Sequence, residues 1–144
     1  MGDVRSVKVQ FYDPVVGYEN IWAMPVGDGT YRLENPPFFI YDVSLDDVVS
    51  AMPNEDGLPQ FLTVVKRSGN RTLRARSKAL IGDPARRSDV GNHLRNMGCI
   101  VEELRERLLA INVPAHVDLA TVTSYLTESG LGWEYGSPSE MNAA

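Results

Sequence analysis

The sequence predicts an α+β protein, and three observations carry that expectation. Apolar and polar residues alternate with a period of two in short runs up to about Gly69, separated by glycine- and proline-bearing turns. Past Ser68 the rhythm changes to strand, helix, strand, strand, helix, strand. The composition, 43% hydrophobic and 23% charged over 144 residues, is that of a chain able to bury its own core. The expectation is a small antiparallel β-barrel or bent sheet over 1–69, a ferredoxin-like βαββαβ unit over 70–136 and a flexible tail over 137–144.

The first strand spans Val4 to Tyr12, where Val7, Val9 and Phe11 alternate with Lys8, Gln10 and Tyr12. "NIWAMPV" and "TYRLE" flank "GDG", Gly27 to Gly29, whose glycines allow the positive φ of a tight hairpin. "NPPFF", Asn35 to Phe39, cannot sit in a central strand, because two prolines remove two ladder donors. It reads as a rigid loop with aromatic anchors. "DDVVSAM" and "QFLTVVK" bracket the turn-rich "PNEDGLP" as a second hairpin.

In the second half Thr72 to Leu80 alternates as a strand. Asp83 caps a helix that begins at Pro84, shows Val90, Leu94 and Met97 on one face, and stops at Gly98. Alternation of Leu109, Ile111 and Val113 makes Cys99 to Pro114 a hairpin turning near Glu106 and Arg107. Asp118 caps a second helix with Leu119, Val122 and Leu126 in register and Gly130 at its end; "LGWEY" closes as a strand. Two helices on one face of such a sheet would leave the other face free.

"NIWAMPVGDGTYRLENPPFF", "DDVV", "VVKRSGNRTLR" and "LRNMGCIVEE" together resemble a bacterial family known as domain of unknown function 4265, from about Val4 to Tyr135. The resemblance implies a bacterial origin and a shared fold and carries no activity. Relatives tend to have His or Ser where this chain has Asn70, so the resemblance gives that position no catalytic role.

Several chemistries are excluded or disfavoured. No run approaches the ~18 apolar residues of a membrane helix, and the first residues lack a secretory signal. "MGDVRS" fits the loose myristoylation pattern at Gly2, but the strand alternation that follows argues against it. Cys99 is the single cysteine, so no internal disulfide or thiolate metal cluster can form, and a cytoplasmic location is expected. His93 and His116 lack metal-ligand spacing, and the acidic "PNEDGLP" turn lacks a calcium-loop pattern. No phosphate-binding or hydrolase signature occurs, so no metal, cofactor or catalytic residue is assigned. A Cys99–His93 dyad is the one nucleophilic arrangement to consider, against Cys99 as a plain core residue.

The feature that stands out is "KRSGNRTLRARSK", six basic residues and no acid between Lys66 and Lys78, in a chain of net charge −5. The remainder holds eight basic residues against nineteen acids, a net of −11. On a strand, Arg74, Arg76 and Lys78 share one face and Leu73, Ala75 and Ala79 the other. A binding site for an anion or a partner would comprise Arg71, Arg74, Arg76, Lys78, Ser68 and Asn70. The competing explanation is that these arginines pair across the sheet with Glu102, Glu103, Glu106 or Glu134.

Phe38 and Phe39 are either a dock between the halves or an exposed interface anchor. Trp22 and Trp133 read as core. The functional expectation is a non-enzymatic binding or regulatory protein, immunity- or antitoxin-like, meeting a protein partner through a charged sheet face. Nucleic acid or a nucleotide on the basic strand is one alternative, disfavoured by an isoelectric point of about 5.0 and by the lack of Phe or Tyr between Phe61 and Tyr125. A small enzyme with its site between the halves is the other, and a homodimer by strand pairing stays open.

Overall fold

The computed structural model describes residues 5–76, 78 and 80–143; expectations that fall on Gly2, Val4 and Ala79 lie outside them. Five strands, β1 (Val7–Asp13), β2 (Gly17–Gly27), β3 (Thr30–Leu33), β4 (Val48–Pro53) and β5 (Pro59–Lys66), close into a barrel in chain order. Successive strands are antiparallel, but β1 meets β5 in parallel, Gln10 opposite Gln60. The expected all-antiparallel barrel is thereby corrected: an odd number of up-and-down strands brings the first and last together in the same direction.

Val9, Phe11, Ile21, Ala23, Leu33, Val49 and Ala51 fill the barrel, and Phe11 stacks on Phe61 with ring centroids 4.7 Å apart. Trp22 is not core. It alternates with Ile21 and Ala23, so it points outward, is 48% exposed, and lies opposite Lys8, whose ammonium sits 5.1 Å from its ring.

The second half runs β6 (Arg71–Arg76), α1 (Pro84–Asn96), β7 (Ile100–Leu104), β8 (Leu108–Val113), α2 (Leu119–Glu128) and β9 (Gly132–Ser137). Its sheet has the order β7-β8-β6-β9 with every neighbouring pair antiparallel. Leu73, Ala75, Val101, Leu109, Ile111 and Val113 form one core with Val90 and Leu94 of α1 and Val122 and Leu126 of α2. The caps are those expected: Asp83 accepts the Arg86 amide at 3.0 Å and Asp118 the Thr121 amide at 3.2 Å. The β7–β8 turn has positive φ at Arg105 (48°) and Glu106 (64°), the conformation a tight hairpin requires.

Three expectations change here. β6 ends at Arg76 because its neighbours run out: β8 begins opposite it at Leu108 and β9 at Gly132. Lys78 therefore sits in a turn, its carbonyl accepting the Ile81 amide at 3.2 Å, and the row of three like charges shrinks to Arg74 and Arg76. Secondly, the sheet face away from the helices is not free. The segment from Asn35 to Asp47 lies on it: Asn35 donates to Glu102 (2.7 Å), Ser44 and Thr72 share a hydroxyl hydrogen bond (2.7 Å), and the Asp42 amide donates to the Gly136 carbonyl (2.8 Å).

Thirdly, the segment expected as a tail carries regular structure as far as residue 143. Ser137 belongs to β9, and Ser139–Ala143 form a 3-10 turn held by the Ser139 amide and hydroxyl on the Asp42 carboxylate, both at 2.7 Å. Asn142 acts as a substitute strand at the β9 edge: its Oδ1 accepts the Tyr135 amide (2.8 Å) and its Nδ2 donates to the Tyr135 carbonyl (2.7 Å). At the opposite edge Arg95 of α1 donates to the Val101 carbonyl at 3.2 Å. Both margins of the sheet thus have backbone groups taken by side chains, which hinders pairing with another chain.

Asp47, 2% exposed, joins the loop to the end of the barrel by accepting the amides of Ser44 (2.9 Å) and Ser68 (2.8 Å). Asp47→Ala leaves both donors without that acceptor, and its expected cost is about 2 kcal/mol in urea unfolding. An unchanged midpoint would show that water replaces the carboxylate at no cost.

Candidate functional site: the seam and groove between the halves

The loop after β3 carries the contact between barrel and sheet. Pro36 and Pro37 stiffen it and are buried. On its barrel side the amides of Phe38, Phe39 and Ile40 donate to the carboxylate of Glu19 at 2.7, 2.9 and 2.9 Å. On its other side the carbonyls of Phe39 and Ile40 receive Arg74, Nη1 reaching Phe39 O at 2.7 Å and Nη2 reaching Ile40 O.

Arg74 is 3% exposed. Its guanidinium lies 4.7 Å from the Tyr41 ring centroid and 3.7 Å from the Glu134 carboxylate, whose two oxygens accept the Tyr41 hydroxyl at 2.8 and 2.9 Å. Burial pulls the Arg74 guanidinium below its ordinary value, and the charges of Glu134 and Glu19 oppose that. Burial pushes the Tyr41 phenol up, and its hydrogen bond to Glu134 and that carboxylate's charge push the same way, so it stays a donor at neutral pH. Gly136 makes room for this packing: a Cβ there would lie 2.9 Å from Arg74 Nη2.

Beside this seam is an open groove of about 570 Å³. Phe38, Phe39 and Val16 form its apolar rim, with Leu108, Gly132 and Trp133 also lining it, and the Tyr41–Arg74–Glu134 cluster and Arg76 supply its polar groups. A second hollow of about 700 Å³ lies where Arg67, Asn70 and Arg71 meet Ser137, Pro138 and Ser139.

The residues grouped from the sequence disperse. Arg71 lies on the opposite side of β6 from Arg74 and donates to the carbonyls of Pro114 (2.8 Å) and Val117 (2.6 Å), ahead of α2. Ser68 and Asn70 hold the backbone, both donating to Leu45 O, at 2.8 and 2.9 Å. Arg74 makes the sheet pairing with Glu134 that offered the structural explanation. Glu102 is occupied by Asn35, and Glu103 and Glu106 both face Arg87, at 3.0 and 3.6 Å. Of the basic residues in the group, only Arg76 and Lys78 remain exposed.

The Phe-Phe pair does two things: its backbone docks the halves while both rings line the groove, Phe39 being 43% exposed. Glu19 is the residue sequence reasoning missed. Its three donors lie about twenty positions downstream in a proline-rich loop, and no local pattern links them.

Cys99 lies in the core on the helix side of the sheet, where burial pushes its thiol up to about 11 against a smaller opposing pull from Arg71. It is a neutral thiol near pH 7. His93 stacks on Tyr125 with centroids 4.0 Å apart, bridging the two helices. Among the described residues no group of three or more His, Cys, Asp or Glu is placed to hold a metal ion, and no helix is long and apolar enough to cross a membrane.

Comparison with known proteins gives a fold and a family without an activity. The family described as "Domain of unknown function (DUF4265)" matches residues 19–135. The "Novel crystal structure of a hypothetical protein from Neisseria gonorrhoeae" is similar over 94% of this chain and 96% of that one, with a TM-score of 0.72 at 18% identity. At that identity the likeness is one of fold. No curated protein matches the chain.

Two measurements probe the site's construction. Gly136→Ala drives a methyl into the Arg74 guanidinium, and the expected cost is about 1–3 kcal/mol; loss of the upfield or downfield shift that the Tyr41 ring imposes on the Arg74 protons would locate the damage. The raised Cys99 thiol stabilises the fold fully below pH 9.0, its unfolded value, and that contribution disappears as pH rises through about 11. Relative to Cys99→Ala, wild type should lose about 2–3 kcal/mol across that window; parallel pH profiles would remove the thiol from the balance.

Proposed function

Because the chain belongs to the family described as a domain of unknown function (DUF4265), which supplies no activity, we propose its role from its own surface: a non-enzymatic cytoplasmic binding or regulatory protein, of the small immunity or antitoxin kind, that recognises a protein partner. The observation that carries this is the outer face of the β1–β2 hairpin. Lys8 and Trp22, Gln10 and Asn20, and Tyr12 and Tyr18 face each other as successive cross-strand pairs. Trp22 is 48%, Tyr12 56% and Tyr18 64% exposed, and Val15 at the hairpin tip is 92% exposed.

Water-facing strand positions need no tryptophan for folding. Aromatic residues clustered on an open surface are the side chains that most often dominate protein interfaces. The partner surface is therefore moved from the basic sheet face, which the Asn35–Asp47 segment covers, to this hairpin face. In this reading the two halves are two units locked by the Arg74 seam. The strand order and directions of the second support a ferredoxin-like unit. The cytoplasmic assignment rests on the single cysteine, Cys99, being a buried free thiol.

One observation favours a second reading. The rings absent from the basic strand stand on the barrel instead, beside Lys8, and aromatic platforms on small barrels stack unpaired bases. The net charge of −5 opposes it, since phosphate contacts supply most of such affinity.

Affinity capture from a native lysate, with and without nuclease, compares wild type with Trp22→Ala/Tyr18→Ala. Both side chains are exposed, so the fold should survive. A nuclease-resistant protein should be retained by wild type and weakened about tenfold or more in the variant. Nuclease-sensitive capture would replace the protein partner by nucleic acid, and equal capture by both chains would end the hairpin-face reading.

A further inference from the structure

Within the groove, the acidic and basic groups do not balance. Among the described residues Glu134 is the only carboxylate lining it, and it shares the Tyr41 hydroxyl proton between its two oxygens with Arg74 alongside. Arg76 lines the groove two positions further along β6, on the same strand face as Arg74, and has no carboxylate partner among the described residues. The Arg74 guanidinium is 3% exposed and engaged by the loop carbonyls, so the donor capacity facing the groove is that of Arg76.

Gly132 lines the groove opposite Arg76, and its missing side chain lets β6 come close: a Cβ there would lie 3.0 Å from the Arg76 carbonyl oxygen. The opposing wall is apolar: Phe38, Phe39 and Val16, the last two 43% and 41% exposed. Val16 sits beside Val15 at the tip of the β1–β2 hairpin, so the groove and that hairpin share the tip.

From this arrangement we infer that the groove takes an extended peptide segment carrying a carboxylate next to a bulky apolar side chain, the carboxylate on Arg76 and the apolar group against Phe38 and Phe39. The inference rests on the protein-partner reading and specifies its chemistry. A free phosphate or nucleotide is disfavoured because phosphate sites converge several backbone donors with their cations, whereas this groove offers one guanidinium without a carboxylate partner among the described residues, amid aromatic walls. A guanidinium and a carboxylate form a planar bidentate pair that a neutral amide cannot reproduce.

The test is a titration of isotope-labelled protein with acetyl-Gly-Asp-Phe-Gly-amide, followed by amide chemical shifts. Shifts should concentrate at Arg76, Gly132 and Trp133, and the Asn-Phe and Asp-Gly versions of the peptide should each bind about tenfold more weakly or worse. Arg76→Gln should remove the preference for Asp over Asn, and Arg76→Lys should restore part of it. Equal binding of the Asp and Asn peptides, no binding at the highest soluble concentration, shifts elsewhere on the surface, or displacement by equimolar inorganic phosphate would each overturn the inference. Partner capture that survives Arg76→Gln but is lost in Trp22→Ala/Tyr18→Ala would refute the groove while leaving the partner reading intact; capture indifferent to the hairpin variant refutes that reading first.

Discussion

The peptide group between Phe39 and Ile40 ties the barrel to the sheet: its N–H donates to the Glu19 carboxylate and its C=O accepts from the Arg74 guanidinium, so its dipole lies in the field between opposite charges. The Phe38 and Phe39 amides add to Glu19, and the Ile40 carbonyl adds to Arg74. Each charge is stabilised by hydrogen bonds rather than by direct contact with the other, and the polarised backbone lies between them. Pro36 and Pro37 reduce the entropy lost in holding the loop there. Glu134 and Tyr41 complete the shell of Arg74 on its remaining side, and Gly136 leaves the space. Removing the cation would strand two buried carbonyls, a larger penalty than loss of the ion pair alone.

That seam decides which surfaces remain for function. The basic strand looks like a binding face in one dimension, yet its central arginine is consumed in joining the halves and Arg71 in holding the carbonyls before α2. What stays accessible is at the margin: Arg76 at the end of β6, the Phe38–Phe39 rim and the aromatic face of the first hairpin. The edges of the four-stranded sheet are also withdrawn from pairing, by Arg95 at β7 and Asn142 at β9. Side-chain hydrogen bonds at both edges compete with strand addition.

Local signals were legible in proportion to how local their physics is. Asp83–Pro84 and Asp118 mark helix starts because the cap is made within one turn of chain, and both caps form. The hairpin turns at Gly27–Gly29 and near Glu106 are legible for the same reason. Trp22 misled, because alternation shows that residues 21 and 22 face opposite ways but does not say which side is inside. The barrel volume decided: Ile21 and Ala23 fit with Val9 and Phe11, and the indole was left outside.

By itself, the sequence determined the succession of strands, helices and turns, the α+β class, the family, and the concentration of basic charge between Lys66 and Lys78. These follow from interactions among residues a few positions apart. Only the tertiary structure decided that the barrel closes in parallel, that the 139–143 segment pins to Asp42 and caps β9, and that Arg74 is a buried joint while Arg76 faces a groove. The two arginines are chemically identical and two residues apart on one strand face. Their fates differ because a loop some thirty-five residues upstream of Arg74 brings its carbonyls over one and stops short of the other, and burial of a charge depends on what meets it across space.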